Sequence, residues 1–141
     1  MIAEHYALEY RTRGNDHIVD VTAQVQDAVA RSGVSIGQAA LLVQGSTAAL
    51  TTLEYEPGLA EHDVAAALER VAPRGIRYEH EATWHDDNGH SHVRAALLGC
   101  SLALPIVEGR VPLGTWQQIV LVDSDTRPRT RTLHLSVVGR A

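Results

Sequence analysis

The chain contains no lysine and no phenylalanine, and it has one cysteine among 141 residues. Without lysine it can form neither a Schiff base with a carbonyl substrate nor a phosphate-binding loop that ends in Gly-Lys. The single Cys100 excludes an internal disulfide and a zinc site built from several cysteines. Its apolar neighbours favour a buried thiol over a catalytic one. Since phenylalanine is absent, leucine, valine and alanine must fill the core.

The sequence also lacks the features of proteins that bind membranes or nucleic acids. All 12 basic residues are arginines, but 17 acidic residues give a net charge of -5. Binding to a nucleic-acid backbone depends on clustered positive charge, so this balance argues against it. No apolar run approaches the roughly 18 residues of a membrane helix, and the N-terminus has no signal-peptide pattern. We therefore expect a soluble cytoplasmic protein without a membrane or nucleic-acid partner.

The order of periodic segments predicts an α+β fold in a single domain that spans residues 1–141. Alternating and β-branched segments predict strands at 6–13, 38–43, in the second half of 44–55, and at 101–107, 113–122 and 130–138. Helical spacing predicts helices from Val21 to Gly33 and from about Ala60 to Ala72, and a helix-like run from Val93 to Leu98. We expect a mainly antiparallel sheet or sandwich with two to three helices.

The stretch from Tyr78 to Gly99 is the richest in groups that can do chemistry, since it holds four of the eight histidines. His80, His90 and His92 are candidate ligands of a divalent metal ion, Mg²⁺ or Zn²⁺. On a helix His90 and His92 would point about 200° apart, so they can share a ligand only in an extended segment. A bend at Asn88-Gly89 would allow that geometry up to His92. The alternative is that each histidine is a hydrogen-bonded loop residue.

His92 directly precedes the predicted helix 93–98, so its ring would lie near the N-terminal amides of that helix. Helix N-terminal amides attract anions and lower the pKa of a nearby imidazole. A neutral His92 could serve as a metal ligand or as a general base near pH 7. The neighbouring Asp86 and Asp87 could join the site, or they could be capping and turn residues.

Three alternating arginines, Arg127, Arg129 and Arg131, would share one face of an extended segment. Such a row can clamp a phosphate or a carboxylate by paired hydrogen bonds. The alternative is a row of ion pairs with Asp123 and Asp125.

Two other segments allow a structural or a binding interpretation. The turn Gly45-Ser46-Thr47 could be a plain connection between strands or a cradle in which amides and hydroxyls hold an anion. Trp116, within the predicted strand 113–122, could be core or subunit interface, or a stacking wall for a heteroaromatic ring.

Several short pieces match one known family in both order and spacing, and Leu-Gly-Thr-Trp-Gln at 113–117 is the most specific. The pieces are Ser46–Leu50, Glu54, Tyr78–His80, Asp87–His92, Ala95–Gly99, Gly109, Leu113–Gln117, Arg129 and Arg131. From about Gly33 to Gly139 the chain therefore resembles the YjbQ family, also called the secondary thiamine-phosphate synthase family. Many members carry a histidine where this chain has Gly45, and this departure gives more weight to His80 and His92.

The resemblance implies a β-rich protomer that assembles as a homotrimer with sites near the subunit contacts. It also implies a transferase reaction, in which a pyrimidine methyl diphosphate and a thiazole phosphate give thiamine phosphate. Such chemistry usually needs a divalent metal ion to neutralise the leaving diphosphate. The implied catalytic residues are Glu54, His80, Asp87 and His92. The candidate substrate-binding residues are Ser46, Thr47, Trp116, Gln117, Arg129 and Arg131.

The residues by themselves leave a second function open. The chain has no lysine, no reactive cysteine pattern and no strong catalytic motif. A metal- or phosphate-binding module without physiological catalysis therefore remains the alternative to an enzyme, and a purely structural trimer is a third possibility.

Overall fold

The computed structural model describes residues 1–141 and shows an α+β fold with two antiparallel sheets, as the sequence predicts. The seven strands are β1 Ile2–Thr12, β2 His17–Asp20, β3 Ile36–Val43, β4 Ala48–Leu53, β5 Ser101–Val107, β6 Gln118–Asp123 and β7 Arg129–Arg140. The four helices are α1 Thr22–Ser32, α2 Val64–Val71, α3 Glu81–Trp84 and α4 Gly89–Leu98. A π-helical turn, Leu59–Asp63, leads into α2.

One sheet has four strands in the order β1-β7-β3-β5, and the other has three in the order β2-β6-β4. Two glycines allow β3 and β7 to pair closely, because Gly37 lies opposite Gly139 in the register. A Cβ atom on Gly37 would lie 2.1 Å from the Val138 carbonyl oxygen. Pro105 lies in β5, an edge strand, where its missing N–H leaves no gap in an inner ladder.

The main core consists of aliphatic side chains, as expected for a chain without phenylalanine. It comprises 17 buried residues from α1 and the facing sides of the two sheets. A second cluster of Ile18, Ala60, Val120 and Val122 packs beneath the segment that leads into α2. The middle strand β6 is therefore buried on both faces, which explains its continuous apolar run.

The ends of α1 follow local chemistry. The Asp20 carboxylate accepts a hydrogen bond from the Thr22 amide at 2.9 Å, so Asp20 binds an amide at the start of the helix. Gly33 ends α1 with a φ of 73°, a left-handed conformation that glycine adopts without strain.

No helix is both long and apolar enough to cross a membrane.

Two expectations from the sequence were wrong. The predicted strand 113–122 begins only at Gln118, because the preceding residues turn and the Gly114 amide donates to the Gln117 side chain at 3.1 Å. Trp116 lies in this turn and is 74% exposed, so it is not part of the core. Cys100 is exposed, because it lies between the end of α4 and the start of β5.

A buried arginine fixes the position of α4. Arg94 is 1% exposed and donates to Asp16 and to Glu69, both at 2.5 Å. It also donates to the Ala72 carbonyl oxygen at the end of α2. Breaking a buried pair by removing one partner costs about 3–5 kcal/mol, so this network holds α4 against two other segments. The N-terminal turn of α4 carries His92, and the network therefore sets where that ring lies.

Candidate functional site

A polar hollow of about 440 Å³ lies where four segments meet: the turn after β3, the segment before α4, the first turn of α4, and the start of β7 with the loop before it. Its wall contains six predicted site residues, Ser46, Thr47, His80, His92, Arg129 and Arg131. The others in the wall are Gly45, Trp84, Asp86, Asn88 and Asp125. Residues far apart in the sequence thus form one surface, and we call it the polar hollow.

The His80 and His92 rings pack against each other in the wall of the polar hollow. Their centroids lie 4.4 Å apart and their planes are inclined by 36°. His80 Nδ1 is buried without a hydrogen-bond partner, since Asp86 Oδ1 lies 3.4 Å away in an unfavourable orientation. Burial, and then the nearby His80, lower the pKa of His92 below its ordinary value of 6.5. His92 is therefore neutral near pH 7, with an imidazole suited to binding a metal or accepting a proton.

His90 does not join this pair. The prediction that the chain is extended up to His92 was wrong. The helix α4 begins at Gly89, so His90 and His92 lie two residues apart on one helix and point in different directions. His90 is 4% exposed and packs against the Tyr78 ring, with centroids 6.4 Å apart. No cluster of three or more histidine, cysteine, aspartate or glutamate residues has a geometry suited to a metal ion.

Arg131 supplies a directed donor elsewhere in the wall. Its Nε and Nη2 atoms donate to the Asp123 carboxylate at 2.7 and 2.8 Å, and Nη2 also donates to Thr47 at 2.7 Å. Nη1 makes no hydrogen bond in the chain and lies beside Gly45, where a Cβ would come within 2.6 Å of it. Glycine at position 45 thus leaves room for the Arg131 guanidinium, which lines the hollow with its Nη1 unpaired.

Arg129 and Asp125 complete this wall as an ion pair, with 2.8 Å between Arg129 Nη2 and Asp125 Oδ2. Burial alone would raise the pKa of Asp125, but hydrogen bonds from the Thr126 amide, Thr47 and Arg129 hold it below 3.8. The ion-pair row considered from the sequence is therefore present. Arg127 does not line the hollow.

Besides His90, four predicted site residues lie outside the polar hollow. Glu54 follows β4 at the end of the three-stranded sheet where Leu53 pairs with Gln118, whereas the hollow adjoins the other end, where Ala48 pairs with Asp123. Gln117 is at the same remote end, because its side chain donates to Thr52 at 3.0 Å, and Trp116 precedes it. Asp87 is exposed and interacts with Glu81, where its hydrogen bond raises the Glu81 pKa.

A larger hollow of about 590 Å³ lies beside the Gly14–Asp16 turn. Its one histidine, His17, accepts a hydrogen bond from the Arg13 amide at Nδ1, at 3.0 Å. None of the predicted site residues lines it. We take the smaller hollow as the candidate site because imidazoles, guanidiniums and hydroxyls converge there.

Comparison with known proteins gives the family. The sequence profile of the UPF0047 protein YjbQ-like family matches residues 6–140. The chain belongs to the YjbQ/UPF0047 family. A UPF0047 protein of Methanothermobacter thermautotrophicus is 35% identical over 133 residues, which cover 94% of this chain and 90% of the relative. UPF0047 protein YjbQ of Escherichia coli O157:H7 is 40% identical over 106 residues, covering 75% of this chain and 76% of the relative.

Solved structures of YjbQ-like proteins share the fold. A YbjQ-like protein of unknown function from Sulfolobus solfataricus P2 superimposes with a TM-score of 0.87 and 31% identity, covering 98% of this chain and 99% of that one. A hypothetical protein from Aeropyrum pernix K1 gives a TM-score of 0.89 at 31% identity, covering 97% and 99%. The YjbQ fold is thus established for this chain.

The sequence had not indicated every residue that lines the polar hollow in this YjbQ-like chain. Trp84 is 68% exposed at its rim, and the single-turn helix α3 that carries it has no sequence pattern of its own. Asn88 lines the wall and immediately precedes α4. Asparagine is a preferred residue at a helix start, so Asn88 was the available sign that α4 begins before His92.

Proposed function

We propose that the polar hollow binds a phosphorylated small molecule. The observation that carries this proposal is the free Arg131 Nη1 donor in the wall that also contains the His80–His92 pair. Asp86 and Asp125 offset the charges of Arg129 and Arg131 in the wall. A phosphate would therefore be recognised by directed N–H and O–H donors more than by net positive charge.

The His80–His92 pair is suited to proton transfer or to holding a metal ion. A neutral His92 can accept a proton from a bound reactant. The unpartnered Nδ1 of His80 also fits a role as a ligand. A divalent ion, Mg²⁺ or Zn²⁺, would be held by His80 and His92, and when bound it would neutralise charge on the phosphate.

The finer proposal is a transferase that forms thiamine phosphate from a pyrimidine methyl diphosphate and a thiazole phosphate. It is supported by the YjbQ resemblance and by a hollow that offers phosphate donors and imidazoles side by side. Ser46, Thr47, Arg129 and Arg131 would then hold phosphate groups, while His80 and His92 would act on the reacting centre.

The same proposal includes a homotrimer. The outward face of the four-stranded sheet carries apolar side chains that no other segment covers, including Ile36 (60% exposed), Leu42 (44%) and Val138 (45%). Contact between copies would bury this face. Glu54, Trp116 and Gln117 are too far along the sheet to reach the hollow of their own chain, so we propose that a neighbouring copy supplies them.

The test of catalysis uses purified protein, both thiamine precursors and Mg²⁺, with thiamine phosphate measured by chromatography. We expect product from the native chain and none above background from the His80→Ala/His92→Ala variant. Equal product from both proteins, or none from either, would discard the transferase.

A binding module without turnover is the second candidate, favoured by the absence of a nucleophilic lysine or cysteine in the hollow. Titration calorimetry separates the two. Saturable binding of thiamine phosphate or of Zn²⁺ by the native chain, in a preparation that makes no product, would select the binding module.

A further inference from the structure

A second hollow opens directly beside the polar hollow. It measures about 480 Å³ and shares Gly45, Ser46 and His92 with its neighbour. Both volumes lie within the roughly 300–1,000 Å³ range of small-molecule sites. The His92 ring and the Gly45–Ser46 turn belong to both walls, so the two spaces are direct neighbours.

The second hollow has a different chemistry, and we call it the small-residue cleft. The rest of its wall consists of Ala48, Ala95, Ala96, Gly99 and Cys100. None of these side chains carries a charge, whereas the polar hollow has a single hydrophobic residue among the 11 in its wall. A hydroxyl or charged group placed against these five residues would find no charged or hydroxyl side chain to pair with.

We propose that the two hollows form one elongated site for a phosphate monoester of an uncharged, mainly apolar alcohol. The phosphate group accepts hydrogen bonds from Arg131 Nη1 in the polar hollow. The apolar body extends past His92 and lies on Ala95 and Ala96 of α4, next to Cys100. This inference rests on the proposed function, because it assigns the phosphate to the polar hollow, and it goes further by assigning the body of the ester to the small-residue cleft.

The arrangement of α4 supports a ligand body at this place. Ala95 is 4% exposed and belongs to the wall, so its small side chain sets the depth of the cleft. Ala96 is exposed, so a larger side chain there fills the cleft without entering the core. On the polar side, Arg131 is only 7% exposed, it lines the hollow, and its Nη1 has no partner in the chain. The phosphate end of the ligand is thus selected by the charged N–H donor of Arg131. The apolar end is selected by the shape of the small-residue cleft.

The first test compares three probes by titration calorimetry: inorganic phosphate, benzyl phosphate and glucose 6-phosphate. We expect benzyl phosphate to bind at least about tenfold more tightly than the other two, because its ring buries apolar surface in the cleft. In the Ala96→Trp variant this preference should fall below about threefold. Ala67→Trp, at an exposed position on α2 away from both hollows, is the matched control and should keep the full preference.

The second test uses Cys100 as a reporter and requires no variant. It is the one cysteine of the chain and is exposed in the wall of the cleft. Benzyl phosphate at saturating concentration should slow its alkylation by iodoacetamide severalfold, measured by mass spectrometry. Inorganic phosphate, confined to the polar hollow, should leave the alkylation rate as it is.

The outcomes distinguish this inference from the proposed function. If all three probes bind with equal affinity and Cys100 is not protected, the phosphate site stands and the small-residue cleft is not part of it. If none of the three probes binds, the proposed function and this inference are both overturned.

Discussion

At the scale of single residues, the site depends on the buried Arg131. Hydrogen bonds within the chain fix its conformation, and its Nη1 group remains free to donate. Asp123 is completely buried and takes two hydrogen bonds from Arg131, and Thr12 donates a third at 2.6 Å. This arrangement leaves little freedom to the guanidinium. Arg131 is therefore rigid before any ligand arrives, which lowers the entropic cost of binding.

Arg131→Met should lower the free energy of unfolding by about 3–5 kcal/mol, because it leaves the Asp123 carboxylate buried without its partner. Arg31→Met is the control, since the Arg31–Asp27 pair has side chains 60% and 65% exposed and should cost less than about 1 kcal/mol. Urea denaturation measures both changes. Similar small losses in the two variants would show that Arg131 is not held as described.

His92 predicts a pH dependence with a definite sign. Its pKa is lowered in the folded chain, so below 6.5 the unfolded state takes up the proton first and the folded state loses stability. At higher pH both states are neutral and this contribution is complete. We expect His92→Asn to weaken the loss of stability between pH 7.5 and 5.5, because asparagine does not titrate in this range. Urea denaturation at both pH values gives the comparison; equal losses in native and His92→Asn chains would contradict it.

At the scale of secondary-structure elements, the contact between α4 and the segment before it brings the two imidazoles together. Gly89 opens α4 directly against Tyr78, and a Cβ there would lie 2.5 Å from the Tyr78 Cβ. Tyr78 is also fixed by its hydroxyl, which donates to the Pro73 carbonyl oxygen at 2.6 Å. The segment that carries His80 thus has a close-packed attachment to the helix that carries His92.

Gly89→Ala should therefore displace the segment that carries His80, lower the free energy of unfolding by about 1–3 kcal/mol, and weaken phosphate binding. Gly75→Ala is a matched control, because a Cβ at Gly75 would meet no atom within 4 Å. Urea denaturation and titration calorimetry with inorganic phosphate check the two effects. Unchanged stability and binding in Gly89→Ala would show that the contact does not position His80.

The sequence allowed us to pair His80 with His92, but it did not show where α4 begins. The repeated histidines before an apolar run indicated a site, while the Asn88-Gly89 pair was interpreted as a bend and is the beginning of α4. Arg94 could not be assigned from its neighbours, because its partners Asp16 and Glu69 lie 78 and 25 residues away in the chain. Periodicity shows which side of an element is buried, but it does not show which distant charges meet.

At the scale of the whole molecule, the outward face of the four-stranded sheet predicts assembly. We expect light scattering to give three times the mass of one chain. Val138→Asp should dissociate this assembly, because it places a charge among apolar side chains on that face. Val71→Asp, at a residue 65% exposed on α2, is the control and should leave the mass unchanged. A monomeric native chain, or a Val138→Asp variant that keeps the native mass, would contradict this prediction.

The most direct test of the shared hollow is a histidine-ring NMR titration with inorganic phosphate, the group common to all proposed ligands. We predict that the ring signals of His80 and His92 shift together along one saturation curve, while those of His62, an exposed residue of the π-helical turn before α2, do not move. In Arg131→Met the two shifts should disappear. Ring signals of His80 and His92 that stay still, or that follow different curves, would contradict the account.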